Sequence, residues 1–177
     1  MKKILFISLL AITTSIFGQS SALDIKAGFK NFKIGDSKSK FSVYLKDPTT
    51  PPDGMTIYSY ESNNETDYSV FGRKFDVILL GFDKNDKLQY IDLIKFYDNN
   101  SYNKSLEEFS NISDELVGLF EKPSKITSDE SKASLGYLWQ GNKVTLTIDN
   151  RYKGVSIGST NSICIFNNSI ESRSTDF

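Results

Sequence analysis

Two apolar segments that flank a short polar turn constrain the fold of this chain more than any other feature. Residues 71–82 and 88–97 are dominated by β-branched, leucine and aromatic side chains, and the polar segment 83–87 separates them. With Asn85 and Asp86 as a two-residue turn, they predict an antiparallel hairpin. Both of its faces are apolar, so we expect both to be covered. The predicted pairs are Leu80 with Ile91, Ile78 with Leu93 and Asp76 with Lys95 on one face, and Phe75 with Phe96, Val77 with Ile94 and Leu79 with Asp92 on the other.

A second hairpin is predicted near the C-terminus, with Gly141 and Asn142 as its turn. This turn pairs Trp139 with Val144 and places the apolar side chains on one face, while the opposite face is mostly polar. The six apolar residues are Leu135, Tyr137, Trp139, Val144, Leu146 and Ile148. Further short strands are predicted at 55–60, 155–159 and 163–166.

Two helices are predicted from the spacing of apolar residues. The clearer one covers 101–120, where these residues recur at steps of three and four and Pro123 follows. The shorter one covers 37–46, and Pro48 follows it. The residues that define the two apolar faces are Leu106, Phe109, Ile112, Leu116 and Phe120 in the first case, and Phe41, Tyr44 and Leu45 in the second.

The predicted fold class is therefore α+β, an antiparallel β-sheet with two helices packed on it. A helix, a proline and antiparallel strands follow one another in 36–97 and again in 102–159. This order suggests a tandem helix–hairpin repeat.

The first 22 residues have the layout of a secretory signal peptide. Two lysines precede an almost unbroken apolar run over 4–17, and small residues up to Ala22 form a cleavage site. We expect cleavage after Ala22, a single mature domain over 23–170 and a flexible tail over 171–177. The cleavage region has no cysteine for a lipid anchor, so the expected location is the periplasm or the extracellular medium of a bacterium.

The composition excludes several classes of function. The chain has no histidine and one cysteine, which removes Ser-His-Asp and Cys-His nucleophilic sites and the usual zinc sites. A net charge of −1 provides no basic surface for nucleic acid. After the leader, no apolar stretch is long enough to span a membrane. We expect neither a cofactor nor a metal, and we expect Cys164, in an apolar strand, to be buried.

One segment resembles known small exported domains. Ile34-Gly35-Asp36-Ser37, followed by Phe41, Leu45 and Pro48 and then by the strands around 83–87, resembles the α+β domains of the beta-lactamase inhibitor protein and of BamE-type outer-membrane assembly lipoproteins. The resemblance covers 32–97, with an echo over 102–159. It implies a non-enzymatic, protein-binding role. BamE-type proteins carry a lipidated cysteine, which the N-terminal region here lacks.

The leading functional hypothesis is an exported interaction protein of the inhibitor, immunity or envelope-accessory type. Its basis is the second apolar face of the first hairpin, which needs a cover. The helix predicted over 37–46 or the second hairpin would be an internal cover, whereas a partner protein or a second copy of the chain would be a functional one.

Two alternatives come from other classes of function. A small-molecule or lipid-binding module would use aromatic side chains to line a pocket, and the candidates are Tyr58, Tyr60, Tyr90 and Trp139. A carboxylate-dependent hydrolase would use Asp92, because burial on an apolar face raises the pKa of a carboxyl group. The predicted binding residues are Phe75, Tyr90, Asp92, Phe96, Tyr58 and Tyr60.

Overall fold

The computed structural model describes residues 18–50, 54–129, 133–154 and 158–170, with side chains from residue 22 onward. The helices are α1 (Gly18–Lys26) and α2 (Tyr102–Phe120). The strands of the main sheet are β3 (Leu45–Thr49), β4 (Thr56–Tyr60), β7 (Val77–Phe82), β8 (Leu88–Tyr97), β9 (Lys125–Asp129), β10 (Ser134–Gln140), β11 (Val144–Tyr152) and β12 (Ser159–Asn167). Two small hairpins pair β1 (Gly28–Phe29) with β2 (Phe32–Lys33) and β5 (Ser69–Val70) with β6 (Arg73–Lys74). Short 3-10 turns cover Lys38–Lys40, Glu65–Tyr68 and Asn99–Ser101.

The eight strands of the main sheet lie in the order β3-β4-β7-β8-β12-β11-β10-β9. Every neighbouring pair is antiparallel. The first four strands of this sheet in chain order, β3, β4, β7 and β8, run from one edge to the centre, and the last four, β9 to β12, run from the other edge to the centre. β8 and β12 therefore meet in the middle, and the predicted α+β class with an antiparallel sheet is confirmed.

The hydrophobic core lies on one face of the sheet, which we call the helix face. α2 packs on β11 and β12 and buries its apolar stripe, which includes Phe109, Ile112 and Leu116. The N-terminal segment covers the other half of this face, where the Phe41 and Phe82 ring centroids are 6.2 Å apart. Burial of large apolar side chains stabilises such a core by about 1.5–3 kcal/mol each.

Polar contacts fix the position of α2 on the sheet. Lys95 Nζ lies 2.6 Å from Glu108 Oε1, and the Tyr97 hydroxyl donates to Glu108 Oε2 at 2.6 Å. The fully buried Asn161 side chain donates to the Ser105 carbonyl at 2.9 Å. Because each of these polar groups has a partner, the contacts specify the register of α2 without leaving any of them desolvated and unpaired.

The predicted register of the first hairpin is confirmed from Val77 to Gly81, but its predicted two-residue turn is wrong. The Asp83 N–H donates to the Lys87 carbonyl and Phe82 pairs with Leu88, so residues 84–86 form a three-residue turn beside a β-bulge. Ile78 pairs with Leu93, and Leu80 pairs with Ile91, facing the core, while Val77 and Ile94 pair on the opposite face. The helix predicted over 101–120 is also confirmed, as α2.

The helix predicted over 37–46 is wrong. A 3-10 turn covers Lys38–Lys40, and β3 begins at Leu45, which pairs with Tyr60 on β4. Three apolar residues at helical spacing define less than two turns, and strand pairing outweighs so short a pattern. Pro48 is tolerated because β3 is an edge strand.

The predicted pairing of Phe75 with Phe96 is also wrong. The chain reverses at Phe71 and Gly72, which both have positive φ and close the β5–β6 hairpin, so the predicted strand over 71–82 begins only at Val77. Phe75 therefore enters the core, where it is 1% exposed, whereas Phe96 is 52% exposed.

The second hairpin keeps its predicted faces but not its predicted pairs. Trp139 pairs with Leu146 instead of Val144, because Asn142 and Lys143 occupy the turn. The Asp24 carboxylate accepts hydrogen bonds from the backbone N–H groups of Asn142, Lys143 and Val144 at 2.9–3.2 Å. This distant cap stabilises a turn one residue further on than local sequence predicts. A shift of two residues preserves which side chains face the core.

Several predictions fall partly or wholly outside the described residues. They concern residues 1–17 of the predicted leader, residues 155–157 of the strand predicted over 155–159, and the tail over 171–177. α1 spans the predicted cleavage position, and Leu23, which would follow it, is 1% exposed. Within the described chain, no helix has the length and apolar character needed to cross a membrane.

Candidate functional site

The face of the sheet opposite α2, which we call the open face, has no helix packed on it in the described part of the chain. Side chains alternate along each strand, so the register decides which residues share this face. On β4, β7 and β8 they form a partly exposed apolar strip, which consists of Ile57, Val77, Leu79, Ile94 and Phe96.

Next to the apolar strip, three central strands bring polar side chains together. Asp92 on β8 pairs with Cys164 on β12, which pairs with Thr147 on β11. In the next row, Ser162 pairs with Asp149. These residues border a cavity of about 190 Å³, the acid pocket, whose lining is Met55, Tyr90, Asp92, Thr147, Asp149, Arg151, Ser162, Cys164, Phe166 and Ile170.

Asp92 is the most buried ionisable group of the acid pocket, with 8% exposure. Its Oδ1 accepts a 2.5 Å hydrogen bond from the Ser162 hydroxyl, and its Oδ2 accepts one of 3.0 Å from the Tyr90 hydroxyl. Burial raises the pKa of Asp92 to about 6, although these two hydrogen bonds and Arg151 oppose the rise. The charge of the nearby Asp149 carboxylate also raises the pKa of Asp92.

Asp149 has a different environment from Asp92. Arg151 Nε lies 2.6 Å from Asp149 Oδ1. Burial raises the pKa of Asp149, while the arginine charge acts in the opposite direction. Burial also raises the pKa of Tyr90, and the neighbouring Cys164 and Asp92 contribute to that rise. The pocket therefore holds two carboxyl groups, one cation and a phenol that stays protonated.

The acid pocket continues into a larger open cleft of about 800 Å³ over β9, β10 and β11. Thr147, Asp149 and Arg151 line both depressions. The described residues contain no group of three or more Cys, Asp or Glu side chains placed to bind a metal ion.

The structure brings together some of the predicted site residues and separates others. Tyr90 and Asp92 lie in the acid pocket, and Phe96 lies on the same face in the apolar strip. Phe75, Tyr58 and Tyr60 lie on the helix face instead. Tyr60 is 7% exposed and donates to Asp67 at 3.0 Å, and burial raises its pKa to about 12. Trp139 is fully buried in the core, and the prediction that Cys164 is buried is confirmed.

Sequence reasoning missed Asp149, Arg151 and Ser162. Alternation along 144–152 places Asp149 opposite the core residues, so its face could be predicted. Its proximity to Asp92 depends on the pairing of β8 with β12, which no turn connects. Sequence pattern carries no signal for that register.

Comparison of the chain with protein-family models, with curated proteins and with solved structures finds no match.

Proposed function

We propose that this chain is an exported, non-enzymatic protein that acts by binding another protein through the open face. The observation that carries the proposal is the apolar strip, which no described helix covers. Phe96 is 52% exposed on a central strand of the sheet. Neither of the expected internal covers is available. The helix predicted over 37–46 does not form, and the second hairpin lies in the same sheet rather than on top of it.

The apolar strip has the composition of the centre of a protein interface. Exposed aromatic residues surrounded by aliphatic side chains are typical of positions that contribute most to binding free energy. Phe96 and Ile94 lie on the long, paired strand β8, so they are held in place before a partner binds. A rigid surface of this kind loses little conformational entropy on association.

The acid pocket adds a charge preference to this surface. It holds two carboxyl groups against the single guanidinium of Arg151. A partner that places a lysine or arginine beside Asp92 and Asp149, with apolar neighbours on the strip, matches both parts of the open face. A basic, partly apolar surface is therefore the chemistry we assign to the partner.

Export and duplication belong to the same proposal. The leader-like segment supports a periplasmic or extracellular location. In each half of the main sheet, four consecutive strands run from an edge to the centre, which supports a duplicated unit, although the helix predicted over 37–46 does not form. The resemblance to beta-lactamase inhibitor and BamE-type domains remains a prediction.

The experiment is affinity capture from the exported fraction with three forms of the tagged protein. We expect a stoichiometric partner with the wild type and at least about tenfold less of it with Phe96→Asp. Val43→Asp is the matched control, because Val43 is 74% exposed outside the open face. Equal capture by all three forms contradicts the proposal. A partner that is a second copy of the chain would make the interface a homodimer, which analytical ultracentrifugation identifies.

A second function, carboxylate-dependent hydrolysis, is favoured by one observation. Asp92 and Asp149 have different environments, one hydrogen-bonded by hydroxyl groups and the other paired with Arg151. Acid and base roles can be divided between two such groups. An activity that Asp92→Asn abolishes without loss of fold would support this function. Intact activity in that variant would contradict it.

A further inference from the structure

A third depression lies on the helix face, away from the acid pocket and the open cleft. It is a groove of about 360 Å³ between α1, the two small hairpins and the C-terminal end of α2. Its floor includes Leu146 and Ile165, which are cross-strand partners and 1% exposed. Small-molecule sites have volumes of roughly 300–1,000 Å³, so the groove has room for one ligand.

The walls of this groove are apolar. Phe29, Phe32 and Val70 are each at least 90% buried, and Phe120 closes the end beneath α2. Leu119, at the mouth, remains 42% exposed. A hydrocarbon chain bound in the groove would cover Leu119 and would remove its own apolar area from water, which favours binding.

Three lysines surround the groove, and no carboxylate of the described residues forms an ion pair with any of them. They are Lys26, Lys30 and Lys33. Lys26 Nζ lies 5.6 Å from the centroid of the Phe120 ring, and Lys30 Nζ donates to the Thr66 carbonyl at 2.5 Å. The Lys26 amine therefore lies near the apolar wall, and all three lysines line the groove without an ion-pair partner among the described carboxylates. Such a rim attracts an anion and opposes a cation.

From these observations we infer that the groove binds one molecule of a free fatty acid, with its hydrocarbon chain on Leu146 and Ile165 and its carboxylate among the three lysines. Charge complementarity selects the headgroup, and the apolar floor selects the chain. A recessed groove that ends on core residues accommodates a single hydrocarbon chain, whereas contact with a bilayer needs a protruding apolar surface. The site lies on the face opposite the proposed protein interface, so its test is independent of that proposal.

The single tryptophan provides the readout. Trp139 pairs with Leu146 in the register of β10 and β11, on the same face. Residues directly opposite in an antiparallel pair have Cβ atoms about 4.5–5.5 Å apart. A bromine atom on a bound hydrocarbon chain would therefore come close enough to quench Trp139 emission. We expect 12-bromododecanoate to quench it saturably, with one site per chain, and dodecanoate to displace it.

Charge-reversal variants test the rim. We expect Lys26→Glu/Lys30→Glu/Lys33→Glu to weaken binding at least about tenfold, and added salt to weaken it in the wild type. Lys84→Glu/Lys87→Glu/Lys104→Glu is the matched control, because these three lysines are exposed and lie outside the groove. Far-UV circular dichroism checks that both variants fold.

Two further experiments distinguish a fatty acid from other ligands. Dodecyltrimethylammonium, which has the same hydrocarbon chain and the opposite headgroup charge, should not displace the brominated acid. Vesicles of phosphatidylglycerol should not bind the chain in flotation. Displacement by the cationic amphiphile, binding to vesicles, linear quenching without saturation, or equal binding by the rim variant would each overturn the inference.

Discussion

The Ser162 hydroxyl donates a 2.5 Å hydrogen bond to the Asp92 carboxylate across the central pair of strands. This contact joins the two halves of the sheet on the open face, because Asp92 lies on β8 and Ser162 lies on β12. It places an ionisable group with 8% exposure in the middle of the proposed interface. The protonation state of Asp92 therefore affects both stability and the charge presented to a partner.

Asp92 should make the stability of the fold depend on pH. Its pKa rises from 3.8 to about 6 on folding, so ionisation costs the folded state more than the unfolded state. The stability contributed by the protonated form is complete below about pH 4 and is lost as the pH rises through 6. This difference in the pKa of Asp92 between the folded and unfolded states corresponds to about 3 kcal/mol of unfolding free energy.

Urea unfolding of the wild type and Asp92→Asn at pH 4 to 7.5 measures this effect. The difference in unfolding free energy should move in favour of the variant by about 3 kcal/mol over that range. Asp114→Asn, at an exposed position on α2, should show a constant difference from the wild type. A constant difference for Asp92→Asn as well would show that Asp92 does not carry this pH dependence.

The Asp24 cap should stabilise the second hairpin from a distance of more than one hundred residues. Asp24→Ala leaves three backbone N–H groups without their acceptor, so we expect a loss of about 1–3 kcal/mol in unfolding free energy. Asp24→Asn keeps one acceptor oxygen and should lose less. Chemical denaturation checks both, with the exposed Glu107→Ala as control. A loss in Asp24→Ala no larger than in the control would refute the cap.

The ion pair between Lys95 and Glu108 should couple α2 to β8. Burial acts to raise the pKa of Glu108, but hydrogen bonds from Lys95 and Tyr97 outweigh it and lower the pKa. The stabilisation that the ionised Glu108 side chain contributes is therefore lost as the pH falls below the usual pKa of a glutamate. We expect a coupling free energy of about 1 kcal/mol in a double-mutant cycle of Lys95→Met and Glu108→Gln.

An exposed pair serves as the reference for that cycle. Lys74 and Glu65 lie 3.1 Å apart, with side chains 57% and 83% exposed, so their coupling should be close to zero. Equal coupling in the two cycles would mean that the contact between Lys95 and Glu108 does not hold α2 on the sheet.

Local rules were enough to predict the strand pairing of the first hairpin. Alternation on either side of the polar segment 83–87 determines which residues pair, and Ile78 and Leu93 meet as predicted, although the turn is one residue longer than predicted. The second hairpin obeys the same rules except at its turn, where the distant Asp24 shifts the pairs. The error is physical in origin, because three backbone hydrogen bonds donated to a remote carboxylate outweigh the preference of Gly141 and Asn142 for the turn.

The candidate site was predictable only along a single strand. Tyr90 and Asp92 are two residues apart, so their shared face follows from alternation. Asp149 and Ser162 reach them through pairing between strands that are separated by α2 and three other strands. Phe75 was misplaced because the turn at Phe71 and Gly72 interrupts an apolar run that otherwise has the pattern of one continuous strand.

Photo-crosslinking from the open face tests the central claim most directly. Replacement of Phe96 by p-benzoylphenylalanine puts a reactive group in the apolar strip, and the same replacement at Ile126, which is 61% exposed on edge strand β9, puts one on the helix face. We predict a single crosslinked protein partner from position 96 and none from position 126. A crosslink from position 126 alone, or none from position 96 while the partner is still captured, would contradict recognition through the open face.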